Sequence, residues 1–297
     1  MMTYLLAPFQ PGFLLHNAFW GSIAVGFFCP LIGVYFMLRR MVLLGVALPQ
    51  ISAAGIAFAF LLQGLGVVLT LHTGEPNDRL LALLGSFVFT TGAIVALSLL
   101  EARGEGTTES RIGAIYALAY AVSILFVAGN ANGKVEMLSM LNGEIVSVSA
   151  SDLELLLVAY GILTVLLFLF NRQFLLVSFD RQSAQVAGKN VAFWDLLLYA
   201  VIGVAISMSV IIVGPMLTFA FLIVPPLAAR RFCKRMIPFF LLSSLIGGLG
   251  GFLGFLVSYS LDWPLSPADI AVVSALLFAC FILSKAASVF RTRERNS

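Results

Sequence analysis

From Leu196 to Ala229 the chain runs without one charged side chain. A helix that crosses a bilayer needs about 20 consecutive apolar residues, because the hydrocarbon core holds no water to satisfy a bare peptide group. The run is read as two such helices, divided near Gly214-Pro215. The same bias holds along the chain: of 297 residues, 61% are hydrophobic and 10% charged. Soluble domains carry about 25% charged residues, and the mean hydropathy of +1.05 points the same way. The expected fold is an all-α polytopic membrane protein, a single transmembrane domain over residues 1–297. It has about nine transmembrane helices, or eight if Leu196–Ala229 is one span.

The other spans follow from the same rule. They are Asn17–Leu38, Leu43–Leu71 (interrupted by Pro49), Leu80–Leu100, Ile112–Ala128, Leu153–Phe170, Ile237–Ser260 and Ile270–Val289. A polar stretch, Gly129 to Asp152, is expected to hold a short interfacial helix around Val135 to Asn142. The first residues have no positive n-region and no clear cleavage site, so they are read as a retained lead-in. Cys29, Cys233 and Cys280 are scattered, without metal or redox spacing.

Charge sets the orientation, since Lys and Arg favour the cytoplasmic side. With nine spans and the N-terminus outside, 15 of the 17 basic residues fall on the inner side, leaving only Arg79 and Lys134 outside. The C-terminus is then cytoplasmic. Merging Leu196–Ala229 into one span would invert everything after it. The net charge of +3 does not suggest nucleic acid, because the basic residues sit at span ends. The outer segments hold eight acidic residues, Asp269 among them, a sign that favours cations near an entrance.

Ser178–Gly188, SFDRQSAQVAG, is a polar interruption between the fifth and sixth spans, on the cytoplasmic side. It suits a short helix outside the bilayer, with Ala184 and Ala187 as a small apolar face. A surface helix so placed is where a soluble partner can grip a membrane domain. The spans themselves hold almost no ionisable residue at mid-depth; Glu154, Asp195 and Lys285 lie near span ends. Carriers coupled to protons or sodium usually keep Asp, Glu or His inside the membrane, so this counts against a secondary carrier. His16 and His72 are read as solvated interfacial residues. Gln50, Ser52, Ser86, Thr90, Thr91, Ser207, Ser209 and Thr218 could line a polar route; equally, small hydroxyl residues are common at helix contacts. Met208 and Met216 could offer thioethers to a metal, but Met more often fills space. Gly247-x-x-x-Gly251 and Gly250-x-x-x-Gly254 are read as packing motifs.

Six stretches, in order, resemble the membrane permeases of ABC importers for zinc, manganese or iron. They are FMLRRMVLLGVALPQISAAGIAFAFLL, ESRIGAIYALAYA, NGEIVSVSASDLELL, LVSFDRQSAQVAG, VGPMLTFAFLIVPPLAAR and LLSSLIGGLGGFLGFLVSYSLDWP. The resemblance implies the ABC importer permease fold in a bacterial cytoplasmic (inner) membrane. It implies a second permease copy, two cytoplasmic ATPase subunits and an extracytoplasmic metal-binding protein as partners. The cargo would be a divalent transition metal, moved inward by alternating access. Phe179, Asp180, Arg181, Ala184 and Gly188 would form the segment that couples to the ATPase. The chain has no G-x-x-x-x-G-K-[ST] phosphate loop. It is therefore expected to be no enzyme and to bind no cofactor, with ATP held by the partner.

One stretch departs from that family. Similar permeases usually read LLGDALSHAVLPG where this chain reads LLGVALPQISAAG. Val46 stands where an aspartate is expected and Gln50 where a histidine is expected. Val46 cannot bind a metal, and a neutral amide is a weak donor beside imidazole. The family's metal ligands are therefore not carried over. A stand-alone secondary carrier and a non-transporting membrane scaffold or assembly subunit remain as rival readings.

Overall fold

The computed structural model describes residues 15–39, 41–65, 78–102, 108–129, 148–179, 181–233 and 235–294, without the side chains of 78–79, 97–102, 108–109, 181–182 and 286–294. Within these residues the chain forms ten helices: α1 His16–Leu38, α2 Leu44–Gly64, α3 Asp78–Ala102, α4 Thr108–Gly129, α5 Ala150–Leu169, α6 Asn171–Phe179, α7 Arg181–Val186, α8 Val191–Ala229, α9 Met236–Leu261 and α10 Leu265–Glu294. Where helix starts are marked, short polar side chains mark them. Ser149 and Asp152 form a reciprocal capping box at the start of α5, and Asn190 accepts the Phe193 amide at the start of α8.

The long apolar run does fold back on itself. Gly214 has φ 80° and ψ 167°, outside the helical region and open mainly to glycine. Contacts with α1 give the direction of each arm. Before Gly214, α8 starts beside Arg39, passes Cys29 (whose Sγ lies 3.3 Å from Ser209 Oγ) and reaches Gly21 at Ile212. After Gly214 it returns, with Leu222 and Pro226 packed on Gly33. The turn carries few orphan backbone groups. Pro215 has no N–H to satisfy, and Thr218 Oγ1 donates to the Gly214 carbonyl at 2.7 Å.

Seven helices are long and apolar enough to cross a membrane, and α3 adds a shorter apolar stretch, Leu80–Ala96. With α8 counted as two arms, the described residues make nine passes, as the sequence predicts. Some boundaries differ. The second helix ends at Gly64 rather than Leu71, and residues 66–77, His72 among them, lie outside the described residues. The last helix starts at Leu265 rather than Ile270 and so draws Asp269 into the bundle. Asp269 is fully buried, not a solvated member of an outer acidic set: Ser22 Oγ on α1 donates to its Oδ2 at 2.5 Å, and Gly254 on α9 leaves room for its carboxylate. The interfacial helix expected at Val135–Asn142 lies outside the described residues.

The passes form two shells. About 70% of the apolar windows of α1, α2 and α8 are buried, against 22–28% of those of α4, α5 and α10. Lipid gives no hydrophobic drive for helices to associate, so they hold by close packing and interhelical hydrogen bonds. Glycines provide the closeness. Gly26 of α1 lies backbone to backbone with Gly247 of α9, Gly251 with Ser22, Gly33 with Leu222, and Gly55 of α2 with Gly85 of α3. The expected packing role of the α9 glycines is met: at each of these sites a methyl group would overlap a carbonyl oxygen.

Candidate functional site

One arginine ties three elements together at the end of the bundle where α1 stops. Arg39 Nη2 lies 2.7 Å from Asp195 Oδ1 near the start of α8, and its Nε donates to Ser178 Oγ on α6 at 3.0 Å. Its guanidinium stands 5.0 Å from the centre of the Tyr199 ring. The pair is well shielded, with side chains 6% and 15% exposed. One turn earlier, Tyr35 Oη donates to Asn171 Oδ1 at 3.2 Å, a second bond from α1 to α6. The planar, always charged guanidinium suits this multi-partner role better than an ammonium would.

The segment expected to be one short helix over Ser178–Gly188 is divided. Ser178 and Phe179 close α6, a nine-residue helix anchored by buried Phe174 and Val177, while α7 takes Arg181–Val186. The sequence reading missed α6 because RQFLLVS is too short to show a period. Ala184 is fully buried and holds α7 to the bundle. Ala187, expected on the same face, is exposed because the helix has ended by that point. The Gly188 amide bonds to the Gln185 carbonyl and the Lys189 amide to the Ala184 carbonyl, at 2.9 and 3.1 Å, which is the Schellman arrangement. It needs a left-handed residue, and Gly188 has φ 71°. Gly188→Val should therefore weaken α7 by about 1–2 kcal/mol. Faster hydrogen exchange confined to 181–189 would show it. Phe179 and Val186 are exposed, at 56% and 91%. Asp180 lies outside the described residues, as does the side chain of Arg181.

The polar residues proposed for a route fall into separate places. Val46 and Gln50 share a face of α2, both partly buried, and Gln50 Nε2 lies 3.4 Å from Ser123 Oγ on α4. Ser123 was not singled out from sequence; nothing but a hydroxyl in an apolar run marks it. Ser52 and Ser86 meet 2.5 Å apart across the α2–α3 contact, and Thr90 bonds back to the Ser86 carbonyl. All three are fully buried beside the Gly55–Gly85 approach, so their geometry is that of a helix contact. Thr218 caps the turn at Gly214, away from them. Ser209 bonds to Tyr160 Oη and Cys29, whereas Thr91 Oγ1 and Ser207 Oγ are buried without a partner among the described residues. Among the described residues no group of three or more His, Cys, Asp or Glu could hold a metal.

Sequence reasoning also undervalued Arg39 and Asp195. It counted Arg39 as one more charge at a span end and Asp195 as a boundary residue, since nothing in either neighbourhood announces a partner some 150 positions away.

Comparison with known proteins places this architecture. The profile of the ABC 3 transport family matches residues 13–284. The chain is 27% identical over 279 residues to the manganese import system permease protein ScaB of Streptococcus parasanguinis, covering 94% of this chain and 93% of that one. It is 25% identical over 286 residues to a Haemophilus influenzae protein named "Probable iron transport system membrane protein", covering 96% and 94%. In three dimensions it is similar to PsaBC from Streptococcus pneumoniae, solved in complex with Fab, with a TM-score of 0.80, 23% identity and 95% of each chain covered. The six stretches that carry the resemblance in the sequence thus lie within one continuous family match, and the chain belongs to the ABC 3 transport family, as a membrane transport subunit rather than an enzyme.

Proposed function

We propose that this subunit is the permease of an ABC importer that carries a divalent transition metal into the cytoplasm of a bacterium. The observation that carries this reading is the Arg39 cluster, which fastens α6, next to α7, to both α1 and α8. A soluble ATPase gripping Ser178–Gly188 would push through that cluster on the two most central passes. Positive residues favour the cytoplasmic side; Arg39, Arg230 and Arg235 gather at this end of the bundle, which supports placing it in the cytoplasm and the N-terminus outside. ATP would sit on the partner chain, with a second permease copy and an extracytoplasmic metal-binding protein completing the assembly. The manganese and iron systems named among the relatives support a metal cargo. With Val46 and Gln50 at the family's ligand positions, the metal would pass with few direct ligands from α2, or with ligands from a partner permease.

Two measurements test this. Gln50→Ala is expected to reduce uptake less than Asp180→Arg, a charge reversal in the coupling segment; equal recovery of the ATPase with Asp180→Arg and the wild type would remove the docking assignment. Elemental analysis of the native host with and without the gene, under metal limitation, should show a selective fall in zinc, manganese or iron. Unchanged metals with the protein expressed and other importers deleted would favour the scaffold reading, which the missing ligands at 46 and 50 already motivate.

A further inference from the structure

Asp269 is a buried acid that the transport reading leaves without a task. It stands near the start of α10, at the end of the bundle away from the Arg39 cluster, and is 0% exposed. Three helices meet on it. Ser22 Oγ of α1 lies 2.5 Å from its Oδ2, and Gly254 of α9 packs against its Oδ1. Oδ1 is buried with no hydrogen-bond partner among the described residues. The titratable groups on the surrounding helices lie elsewhere along them. On α1 they are His16, at the exposed start, and Cys29 and Tyr35, toward the other end. On α9 they are Tyr259, its ring stacked on Phe255, and Asp262, at the exposed end. On α8 they are Asp195 and Tyr199, both beside Arg39. On α10 they are Cys280, Lys285 and the charged residues beyond. Among the described residues no cation pairs with Asp269, and its one polar partner is Ser22.

A carboxylate shut in an apolar interior without a cation is the costly form, and a group so placed takes a proton instead. A metal ion does not fit. Hard cations take about six oxygen ligands, and here Oδ1 is closed off by Gly254. A proton needs no room. Placed on Oδ2, it is donated to Ser22 Oγ, and the Ser22 hydroxyl hydrogen turns to the Gly251 carbonyl of α9, 3.5 Å away. Each hydrogen then has an acceptor, and Oδ1 is left as a neutral carbonyl oxygen. The chain from Asp269 through Ser22 to Gly251 joins α10, α1 and α9. This joint is where α10 is held most closely. Its buried residues, among those described, are Leu265, Ala268, Asp269 and Val273, all near its start. Farther along, Arg231 stacks 4.0 Å from the centre of the Phe281 ring. We propose that Asp269 is a proton-binding site whose proton latches the start of α10 to α1 and α9. When the proton passes to water, the charge left behind draws the start of α10 out of the bundle, while the Phe281 end stays in place. The bundle thus loosens at this end as pH rises.

The test uses the full-length chain in phosphatidylcholine nanodiscs, with two readouts. Infrared spectra of protein carrying isotope-labelled aspartate should show, at neutral pH, the carbonyl stretch of a protonated carboxyl that is missing in Asp269→Asn. Hydrogen exchange reads the joint itself. An opening that lets one carboxyl ionise releases one proton, so its equilibrium constant grows about tenfold per pH unit. Amides in 268–273, corrected for the intrinsic exchange rate, should lose protection by that factor between about pH 6 and pH 8. In Asp269→Asn, which carries no such proton, protection should not change with pH. Asp262→Asn, at an exposed side chain, should match the wild type in both readouts. The absence of a protonated-carboxyl band in the wild type overturns the proposal, as does a band that persists in Asp269→Asn. Wild-type protection that is flat with pH overturns the latch. Both wild-type measurements decide the matter even if Asp269→Asn fails to fold.

Discussion

Arg39→Ala is expected to destabilise the permease by about 3–5 kcal/mol and to abolish transport, even where the protein still reaches the membrane. The magnitude comes from the charge left behind. Removing one member of a shielded ion pair strands the other, and that loss is far larger than the net value of the pair. The lost hydrogen bond to Ser178 is a minor part, since such bonds between membrane helices average about 0.6 kcal/mol. Asp195→Ala should cost less, because the long arginine stem can carry its charge toward the headgroups, whereas the short aspartate cannot. Arg39→Ala combined with Asp195→Ala should recover much of the stability and little of the transport, because no buried charge remains but α6 has lost its link through Ser178 to α1 and α8 and keeps the Tyr35–Asn171 bond. Thermal unfolding in detergent checks the first part, and cargo-stimulated ATPase activity of the assembled transporter checks the second. If the double variant transports normally, Arg39 has only a structural role.

The second large effect is steric. Gly33→Ala and Gly247→Val should each prevent normal assembly of the bundle, at about 3 kcal/mol or more, because the added carbon meets a backbone carbonyl rather than a side chain that can swing away. Gly33 faces the Leu222 carbonyl on the returning arm of α8, and Gly247 faces the Gly26 carbonyl and the Pro30 ring on α1. Gly92→Ala, Gly113→Ala and Gly161→Ala meet open space at exposed positions and should stay within about 1 kcal/mol of the parent, either neutral or mildly stabilising. Yield of monodisperse protein after detergent extraction separates the two groups. Similar yields for both would mean that the helices are not in this close register.

Several of these sites were legible in the chain and others were not, for one physical reason. Membrane spans are written locally: about 20 apolar residues, a proline after a glycine, a basic cluster at one end. That is why nine passes and the turn at Gly214 could be placed from sequence. Gly188 was legible as part of a motif, and its left-handed cap now gives the motif a cause. Partnerships between spans are not written locally. Asp269 looked like an outer acidic residue because it stands just after Leu265-Ser266-Pro267 at the edge of an apolar run, and its partner, Ser22, is 247 positions away. Ser52 and Ser86 looked alike whether lining a route or joining two helices. Only the Gly55–Gly85 contact beside them distinguishes those cases.

The central place of α1 has a consequence for how the chain is made. Among the described helices, the one synthesised first is enclosed by elements synthesised last: its glycine contacts and its Ser22 bond are with α8, α9 and α10. At about 5–20 residues per second, roughly 200 residues must follow before those partners exist, an interval on the order of ten to forty seconds. Through that interval α1 stands in lipid or beside the insertion machinery with its small-residue face uncovered. Final closure of the bundle therefore waits for the C-terminal third of the chain, and a ribosome that stalls before it leaves α1 with α5 and α6 as neighbours but without α8, α9 and α10.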